Sequence, residues 1–349
     1  MLASDKVEKI SYEIIRILYR KFNDFPENAD NNRNAPFHKA FLNAFTNELQ
    51  GFGTEVPFFI SLSSWLHGLN TTLGQSFFEK VAHILCDGCK KEYTSGRMGN
   101  LYISTKQQEE ISKIITDLSN DEGIPDLLRE NALLFDNNDN RNDLIKAMNF
   151  SADIFIEDDT EIIAIELKSV RPNSGEMGGE KLKILQGKAA LSREFPDKDI
   201  KFYIGFPFDP TNDSEDETGY DKKRFMNSII NMTKYFAEEE TLLSSELWDF
   251  LSDEEDTMED LLGIINSIAT TEFMDIYNYL DDNRNRNHTK YGEYLRQWNL
   301  DKELNLLKND EQIKKSISHN SSLTRKYNQP IFKKGSYNID RYNDLEKLI

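Results

Sequence analysis

The sequence predicts an α/β protein in which a short series of strands and one helix is flanked by helical regions at both ends. In the middle of the 349-residue chain apolar residues alternate with polar ones, as in strands. On both sides they recur every three or four residues, as in helices. Hydrophobic residues make up 38% of the chain, which is enough for a packed core despite the excess of acidic residues.

The N-terminal part is predicted to be helical. KVEKISYEIIRILYRKF places Ile10, Ile14 and Leu18 at helical spacing, and PFHKAFLNAFTNEL forms a second helix after an Asn-rich loop. We assign residues 1–70 to this helical region. TTLGQSFFEKVAHILCDGCKKEY then predicts an amphipathic helix. Its Cys86 and Cys89 could form a redox pair, but two reduced thiols at a helix end are favoured because no further ligands stand at a zinc-site spacing.

The predicted core occupies residues 71–210. Ala152, Ile154 and Ile156 alternate with polar or solvent-facing positions, and the same period returns around Ile163 and Ile165, which predicts a β-hairpin. A polar loop, RPNSGEMGG, separates this hairpin from a helix over EKLKILQGKAALSREF and from an apolar strand, KFYIGFPF. The glycines of the loop are predicted to let it fit a groove.

Residues 211–349 are predicted to form a mostly helical C-terminal region. KKRFMNSIINMTKYF and MEDLLGIINSIATTEFMDIYNYL are its clearest helices. The tail after Lys308 has little periodicity and is predicted to become ordered partly on binding.

Charge is unevenly distributed along the chain. The net charge of −19 argues against a nonspecific nucleic-acid coat protein, because phosphate binding requires cations. Acidic residues dominate between Asp209 and Asp260, whereas residues 313–342 carry seven Lys or Arg against the single acid Asp340. A nucleic-acid surface would therefore have to be local, with the basic tail as one candidate and a simple offset of the acidic segment as the alternative.

Several function classes are not supported. The sequence contains neither an apolar run of the roughly 20 residues that span a bilayer nor a signal peptide, so we expect a cytoplasmic protein without a membrane partner. GxGxxG and GxxxxGK[ST] are absent, which argues against a nucleotide cofactor. The five histidines are scattered and suggest no catalytic triad, so we assign them structural roles.

The hairpin carries the candidate chemistry. If the chain reverses through residues 158–161, Ile154 faces Ile165 and Asp153 faces Glu166, so one face is apolar and the other gathers Asp153, Glu166 and Lys168. Two opposed carboxylates repel each other unless a cation lies between them, and Mg²⁺ prefers such oxygen ligands. Lys168 could orient or deprotonate an attacking water and neutralise charge on a phosphate. The alternative is a hairpin with one solvated polar face.

The spacing Asp153…Glu166-Leu-Lys168 resembles the PD-(D/E)XK nuclease superfamily, with Ala152 at the position of the name-giving Pro. PFHKAFL, LGQSFFEKVAHIL, IAIELKSVRPNSGEMGGEKLKIL and FYIGFPF resemble the TdeIII-like type II restriction endonucleases over roughly residues 36–210. The resemblance implies an αβββαβ core with a mixed central sheet. It also implies a Mg²⁺-dependent homodimeric enzyme, with Mn²⁺ as a substitute, that cuts both strands of double-stranded DNA at a short palindromic or interrupted palindromic site such as GGNCC. The alternatives are a repair or degradation nuclease, and a noncatalytic binding module. For a homodimeric enzyme of this kind the C-terminal region is a candidate for DNA recognition, and its helices after Tyr220 are candidates for the dimer contact, with packing inside one chain as the alternative.

Other polar residues are candidates for the same site. The resemblance implies a further carboxylate from the first core helix, and Glu79 fits that position, although it could be an ordinary surface glutamate. Arg171, Asn173, Ser174 and Glu176 follow the second strand and could contact phosphates or base edges, or form a turn without DNA contact. Lys181 and Lys183 begin the next helix and could steer a phosphate, or belong to a solvated face.

Overall fold

The fold was analysed in a computed structural model, which describes residues 1–26, 56–135, 143–168 and 176–349. The second predicted N-terminal helix, over residues 36–49, lies outside these residues. The chain begins with α1 (Ser4–Asn23), α2 (Val56–Thr72), a π-helical turn (Leu73–Phe77) and α3 (Phe78–Cys86). The following elements are β1 (Cys89–Tyr93), β2 (Tyr102–Ser104), α4 (Thr105–Ser119), α5 (Leu127–Leu134), β3 (Leu144–Lys146), β4 (Phe150–Glu157), β5 (Glu161–Leu167), α6 (Glu176–Glu194) and β6 (Asp199–Phe206).

The C-terminal part of the chain is mostly helical, as predicted. Its elements are α7 (Lys222–Ser228), α8 (Met232–Tyr235), a 3₁₀ turn (Glu238–Glu240), β7 (Thr241–Leu243), α9 (Ser245–Ser252), α10 (Thr257–Ile268), α11 (Phe273–Asp281), a second 3₁₀ turn (Asn283–Asn287), α12 (Thr289–Gln297), α13 (Asp301–Lys308), α14 (Asp310–Ile317), α15 (Ser321–Tyr327), β8 (Phe332–Lys333), β9 (Ser336–Tyr337) and α16 (Ile339–Glu346). No helix in the described ranges is long and apolar enough to cross a bilayer.

The chain divides into two compact units. Unit 1 contains Met1 and residues 78–259, and unit 2 contains residues 2–77 and 260–349. This division differs from the three predicted ranges, because the two ends of the chain share unit 2 and unit 1 continues beyond residue 210.

Unit 1 is built on a mixed five-stranded sheet in the order β1-β4-β5-β6-β7. β1, β4 and β5 pair antiparallel, whereas β5, β6 and β7 pair parallel. The parallel pair β5–β6 requires a crossover, which contains α6. Between β1 and β4 the chain inserts α4, α5 and the small β2–β3 sheet. The predicted α/β class and mixed central sheet are confirmed.

The β4–β5 hairpin has the predicted register but not the predicted single apolar face. Ile154 pairs with Ile165 and Ile156 with Ile163. Phe155, Ile162 and Ala164 point to the opposite face, since side chains alternate along a strand, and they are buried in the main core. The prediction of one apolar face is therefore wrong, because helices cover the sheet on both sides as they do in mixed and parallel sheets.

The predicted helix over residues 71–93 ends earlier than expected. α3 stops at Cys86, Asp87 adopts a left-handed conformation with φ of 51°, and the chain continues as β1. Gly88 lies so close to Phe155 that an added Cβ would be 3.0 Å from the Phe155 carbonyl oxygen, so the turn requires glycine. Cys86 and Cys89 on either side of the turn form no disulfide.

Helix α6 packs closely on the sheet and extends further towards the N-terminus than predicted. A Cβ on Gly187 would lie 2.6 Å from a Phe202 ring carbon, so this glycine allows the helix to approach β6. Gly178 and Gly179 lie inside α6, which begins at Glu176. The prediction that these two glycines belong to a flexible loop is therefore wrong, because burial of Met177 outweighs the low helix propensity of glycine.

Unit 2 joins α1 to the C-terminal elements. The Tyr12 and Tyr337 rings stack with centroids 4.2 Å apart, and the buried Arg341 donates to Glu303 at 2.7 Å. A core of Leu306, Ile313, Ile317, Tyr342 and Leu345 extends through the segment after Lys308. The prediction that this tail orders only partly is wrong, because its sparse apolar residues meet across α13, α14 and α16.

Candidate active site

The β4–β5 turn fixes the register that brings the candidate residues together. The Asp158 Oδ1 accepts hydrogen bonds from the backbone N of Thr160 and Glu161 at 2.7 and 2.8 Å, and from Thr160 Oγ1 at 3.0 Å. These bonds hold the pKa of Asp158 below its usual range. A side chain that bonds its own turn in this way is typical of tight reversals. The turn therefore sets a pairing that ends at Ile154 and Ile165, and Asp153 and Glu166 are the next residues of the two strands.

Asp153 is held by the neighbouring strand. Its Oδ2 accepts a hydrogen bond from the Leu167 backbone N at 3.0 Å, next to Glu166. On the other side of β4, Cys89 pairs with Phe155 and Lys91 with Ala152, so the single residue Lys90 faces two residues, Asp153 and Ile154. This β-bulge locally bends the strand at Asp153, which is a common device beside active sites.

Lys90 joins Asp153 to the helix that precedes the sheet. The Lys90 Nζ donates to Asp153 Oδ1 at 2.7 Å and to Glu79 Oε2 at 2.9 Å. Burial acts to lower the pKa of Lys90, but the hydrogen bonds and charges of Asp153 and Glu79 outweigh burial and raise it above its usual range. The ammonium is therefore charged at neutral pH and links two carboxylates from different elements.

Helix α3 is fixed on β4 by a second contact. The His83 Nε2 donates to the Asp153 backbone oxygen at 2.7 Å, one helical turn after Glu79. Val81, Ala82 and Leu85 on the same helix are fully or almost fully buried. The apolar side of α3 thus packs into the core while Glu79 and His83 both face the position of Asp153.

Glu166 belongs to a second charged group with α6. The Lys168 Nζ lies 3.2 Å from Glu166 Oε1 and 3.1 Å from Glu180 Oε1. The Lys183 Nζ lies 2.8 Å from Glu180 Oε2 and 3.7 Å from Glu166 Oε1. The two carboxylates and two ammonium groups therefore alternate around a four-membered arrangement at the end of β5.

The electrostatics of this group are unbalanced at Glu166. Burial, followed by the charge of Asp153, raises the pKa of Glu166 above its usual range even though Lys168 and Lys183 act in the opposite direction. Burial lowers the pKa of Lys168, but the charges of Glu166 and Glu180 outweigh it, and the pKa is raised. Lys168 is accordingly a cation at neutral pH, and the site still favours additional positive charge near Glu166.

The predicted residues are not all in one place. Glu79, Asp153, Glu166, Lys168 and Lys183 belong to the two linked groups just described. In contrast, Lys181 is fully buried and pairs with Glu130 at 2.5 Å and with Glu240 at 2.6 Å. Its ammonium is therefore committed to buried carboxylates and does not reach the surface.

The loop candidates are only partly described. Glu176 is the first residue of α6 and is exposed. Arg171, Asn173 and Ser174 lie outside the described residues. Their predicted contact with DNA remains an expectation from their position directly after β5.

Three residues of the site were not identified from the sequence: Lys90, His83 and Glu180. The separation of Glu79 and His83 by four residues was the available signal for His83, since it places both on one helix face. Glu180 and Lys183 likewise stand three residues apart on α6. No sequence pattern indicated Lys90, because its approach to Asp153 depends on the β-bulge.

The carboxylates of the candidate site are suited to binding a divalent cation that keeps part of its hydration shell. No group of three His, Cys, Asp or Glu side chains within the described ranges is arranged to hold a metal ion. Mg²⁺ is commonly bound by only one or two carboxylates, with water and substrate phosphate as the other ligands. Asp153 and Glu166 supply two carboxylates on paired strands. Burial and, after it, the negative charge of Asp153 raise the pKa of Glu166, and a cation bound between the two carboxylates would offset both effects. Asp153 and Glu166 are therefore suitable ligands for a partly hydrated Mg²⁺ ion.

Comparison with known proteins identifies the family. Residues 3–269 match the family model described as type II restriction endonuclease, HinfI. The chain is 39% identical over 365 aligned residues to the type II restriction enzyme MjaII of Methanocaldococcus jannaschii, covering 99% of this chain and 96% of that protein. No solved structure matches. Both similarities include the whole candidate site and make the protein a DNA-binding, site-specific nuclease of a restriction–modification system. The chain belongs to the HinfI family of type II restriction endonucleases.

Proposed function

We propose that this enzyme hydrolyses one phosphodiester bond in each strand of double-stranded DNA with Mg²⁺ bound at Asp153 and Glu166. The observation that carries the proposal is the opposition of these two carboxylates on paired strands, with the charged Lys168 directly beside Glu166. Type II restriction endonucleases generally use divalent metal ions. Mg²⁺ is our choice because it prefers hard oxygen ligands and retains open positions for water and phosphate, and we expect Mn²⁺ to substitute. When bound, the cation would supply Lewis-acid stabilisation of charge on the scissile phosphate.

The chain's own residues have separate roles in this proposal. Asp153 is fixed by the Leu167 backbone N, which leaves its Oδ1 directed away from that strand. Lys168, held between Glu166 and Glu180, presents an ammonium to a phosphate oxygen and stabilises the charge that develops there. Its raised pKa supports this electrostatic role and disfavours the alternative in which Lys168 removes a proton from water.

Glu79 has a positioning role in the same proposal. It shares the Lys90 ammonium with Asp153, so it influences the orientation and charge of that carboxylate from the neighbouring helix. We retain it as the contribution of the first helix to the site.

We further assign unit 1 to the PD-(D/E)XK nuclease superfamily. The order α3, β1, β4, β5, α6, β6 supports an αβββαβ core once the insertion between β1 and β4 is set aside. The Asp153…Glu166-Leu-Lys168 spacing supports the same assignment. The narrower TdeIII-like relationship and a GC-rich site such as GGNCC remain expectations from resemblance.

DNA contacts are proposed for the residues around the start of α6. Lys183 is partly exposed beside the carboxylates, and Glu176 with the preceding Arg171, Asn173 and Ser174 would reach base edges or phosphates. Lys181 is assigned instead to the buried network.

The protein is proposed to act as a homodimer. One active site cuts one strand, so a palindrome is most simply cut by two copies related by the two-fold axis of the DNA. We propose that the protein acts in the cytoplasm, where DNA is accessible.

A plasmid with one mapped site tests the proposal. With Mg²⁺, the wild-type enzyme should convert supercoiled plasmid directly to linear DNA with defined ends, because a dimer cuts both strands in one encounter. Asp153→Asn and Glu166→Gln should abolish cleavage while binding of the same DNA in EDTA persists. Lys168→Met should lower the cleavage rate by at least about 100-fold, as removal of a donor to a developing charge commonly does.

Glu161→Gln is the matched control, since Glu161 pairs with Lys201 at the opposite end of β5. It should cut like the wild type. Normal cleavage by Asp153→Asn or Glu166→Gln would disprove the assigned site. A smear of products would show degradation without a specific sequence, and accumulation of nicked circles would contradict the dimer.

A further inference from the structure

Both oxygens of the Asp153 carboxylate are already used in the protein without metal. Oδ2 accepts the Leu167 backbone N at 3.0 Å, and Oδ1 accepts the Lys90 Nζ at 2.7 Å. The first bond is made to a backbone group of β5, just beyond the last pair of the hairpin, Ile154 and Ile165. The second bond comes from the end of the flexible Lys90 side chain, which is 36% exposed. A cation that binds Asp153 through Oδ1 must therefore compete with the Lys90 ammonium.

Lys90 is unlike a single surface ion pair. Its ammonium lies between two carboxylates, Glu79 and Asp153, whose side chains are 22% and 16% exposed. Two carboxylates that share one site favour a cation between them, which is the same physical reason that supports a divalent ion at Asp153. The β-bulge is what brings Lys90 to this position, since the ladder leaves it opposite both Asp153 and Ile154.

We propose that Lys90 is an internal competitor for the metal, whose ammonium occupies Asp153 Oδ1 in the metal-free enzyme and must leave it when a divalent cation binds. This inference rests on the proposed function, in which Asp153 is a metal ligand. The two cations cannot share the oxygen closely, because like charges a few ångströms apart repel. Lys90 therefore weakens metal binding and keeps Glu79 and Asp153 neutralised in its absence.

The displaced ammonium has an evident new partner. A DNA phosphate at the same site would accept it, and the four-carbon stem of lysine allows the small movement required. Metal and DNA should consequently favour each other's binding, because each stabilises the arrangement in which Lys90 has left Asp153. Lys90 would thus make tight metal binding depend on bound DNA.

The first measurement is Mn²⁺ affinity of the full-length, DNA-free protein by isothermal titration calorimetry. Lys90→Met should bind Mn²⁺ about tenfold more tightly than the wild type, which corresponds to removal of one competing charge-assisted hydrogen bond. Lys90→Arg keeps a cation and should stay near the wild-type affinity. Lys91→Met is the matched control, because it removes the same charge one residue away, where Lys91 pairs with Glu157.

The second measurement repeats the titration with uncleavable DNA that contains phosphorothioate linkages at the cut positions. DNA should tighten Mn²⁺ binding to the wild type and to Lys91→Met, and should tighten it less in Lys90→Met. If Lys90→Met binds Mn²⁺ no more tightly than Lys91→Met, or more weakly, Lys90 organises the carboxylates and does not compete, and the inference is overturned.

The same titrations separate this inference from the proposed function. Asp153→Asn should lose Mn²⁺ binding; if it does not, the metal site itself is misassigned. If Asp153→Asn loses binding while Lys90→Met equals its control, only the role of Lys90 is disproved. Should Lys90→Met lack the native near-UV circular dichroism spectrum, Lys90→Gln replaces it, since glutamine retains a hydrogen-bond donor without the charge.

Discussion

Glu166 is a residue whose charge costs stability in the metal-free protein. Its folded-state pKa is raised above the usual value of 4.5 by burial and by Asp153. A carboxyl group with a raised folded pKa contributes stability that is fully present below the unfolded pKa and is lost as the pH rises through the folded pKa. At neutral pH the ionised Glu166 is therefore unfavourable for folding, although the proposed metal site requires this ionised form.

Glu166→Gln should consequently raise the thermal unfolding temperature of the metal-free protein at pH 7. The difference from the wild type should shrink as the pH falls towards 4.5, where Glu166 itself becomes protonated. Unfolding followed by circular dichroism in EDTA at several pH values measures both effects. Glu161→Gln, on the same strand, serves as the control. A variant less stable than the wild type at pH 7 would show that pairing with Lys168 and Lys183 outweighs burial.

The sequence was sufficient to predict part of this site. Asp153 and Glu166 could be paired because antiparallel strands have a fixed two-residue period, so one correct turn determines every later pair. Lys90 could not be predicted, because its position depends on a bulge that only the pairing of β1 with β4 reveals. Glu180 was missed because its relation to Lys168 depends on how α6 crosses β5.

Helix α6 separates two kinds of lysine on its two sides. Lys181 and Lys183 are two residues apart, so they point in nearly opposite directions on a helix. Lys181, Lys188, Glu130 and Glu240 form a buried network, in which Lys181 and Glu240 are at most 1% exposed. Lys183 lies beside Glu166 and Glu180 on the side of the candidate active site. A lysine-rich pattern alone does not show this difference, because it depends on which side of α6 packs.

Substitution of Lys181 should mainly lower stability, whereas substitution of Lys183 should mainly lower DNA affinity. Lys181→Met removes the ammonium that pairs with the buried Glu130 and leaves Glu240 with Lys188 alone, so it should destabilise the protein by about 3–5 kcal/mol. Lys183→Met should change stability by no more than about 1 kcal/mol, because Lys183 is partly exposed. Urea unfolding measures both values.

DNA affinity should show the reverse order. Lys183→Met should lower DNA affinity roughly fivefold, the equivalent of about 1 kcal/mol, whereas folded Lys181→Met should bind like the wild type. Fluorescence anisotropy at a temperature where both variants are folded makes the comparison. Equal reductions of DNA affinity would contradict the separation of roles.

At the scale of the whole molecule, the predicted fold class was correct, whereas no pattern in the sequence indicated that the two ends of the chain share unit 2. Periodicity identifies single elements, whereas unit 2 depends on contacts between α1 and elements about 290 residues later, such as the bond from the Lys302 backbone N to Glu8. The C-terminal segment looked irregular because its helices are short. Its apolar residues become a core only when α13, α14 and α16 are brought together.

The folded C-terminal segment changes how its basic surface should be tested. Three of its seven cations are held by acids: Lys314 by Asp310, Lys326 by Asp344 and Arg341 by Glu303. The other four are exposed and have no ion pair with the described residues; they are Lys315, Arg325, Lys333 and Lys334. Deletion of the segment would remove core residues such as Ile313 and Leu345, so substitution of the exposed cations is the cleaner experiment.

We expect these four cations to bind DNA phosphates and name them the basic surface of unit 2. Changing all four to Gln should reduce the slope of log affinity against log salt, by about 0.9 for each phosphate that the variant no longer neutralises. Anisotropy titrations with the cognate DNA over a salt series give this slope. The matched control changes to Gln four cations elsewhere that are likewise exposed and have no ion pair with the described residues, namely Arg20, Lys113, Lys223 and Arg296.

Both variants have the same net charge, so a general electrostatic effect would lower affinity equally in the two. Direct binding of phosphates by the basic surface would instead reduce the slope only in the variant of that surface, since only bound phosphates release counterions. An unchanged slope in that variant would show that the basic surface of unit 2 does not touch the DNA backbone. Its cations would then act only to balance the acidic residues of a chain with a net charge of −19.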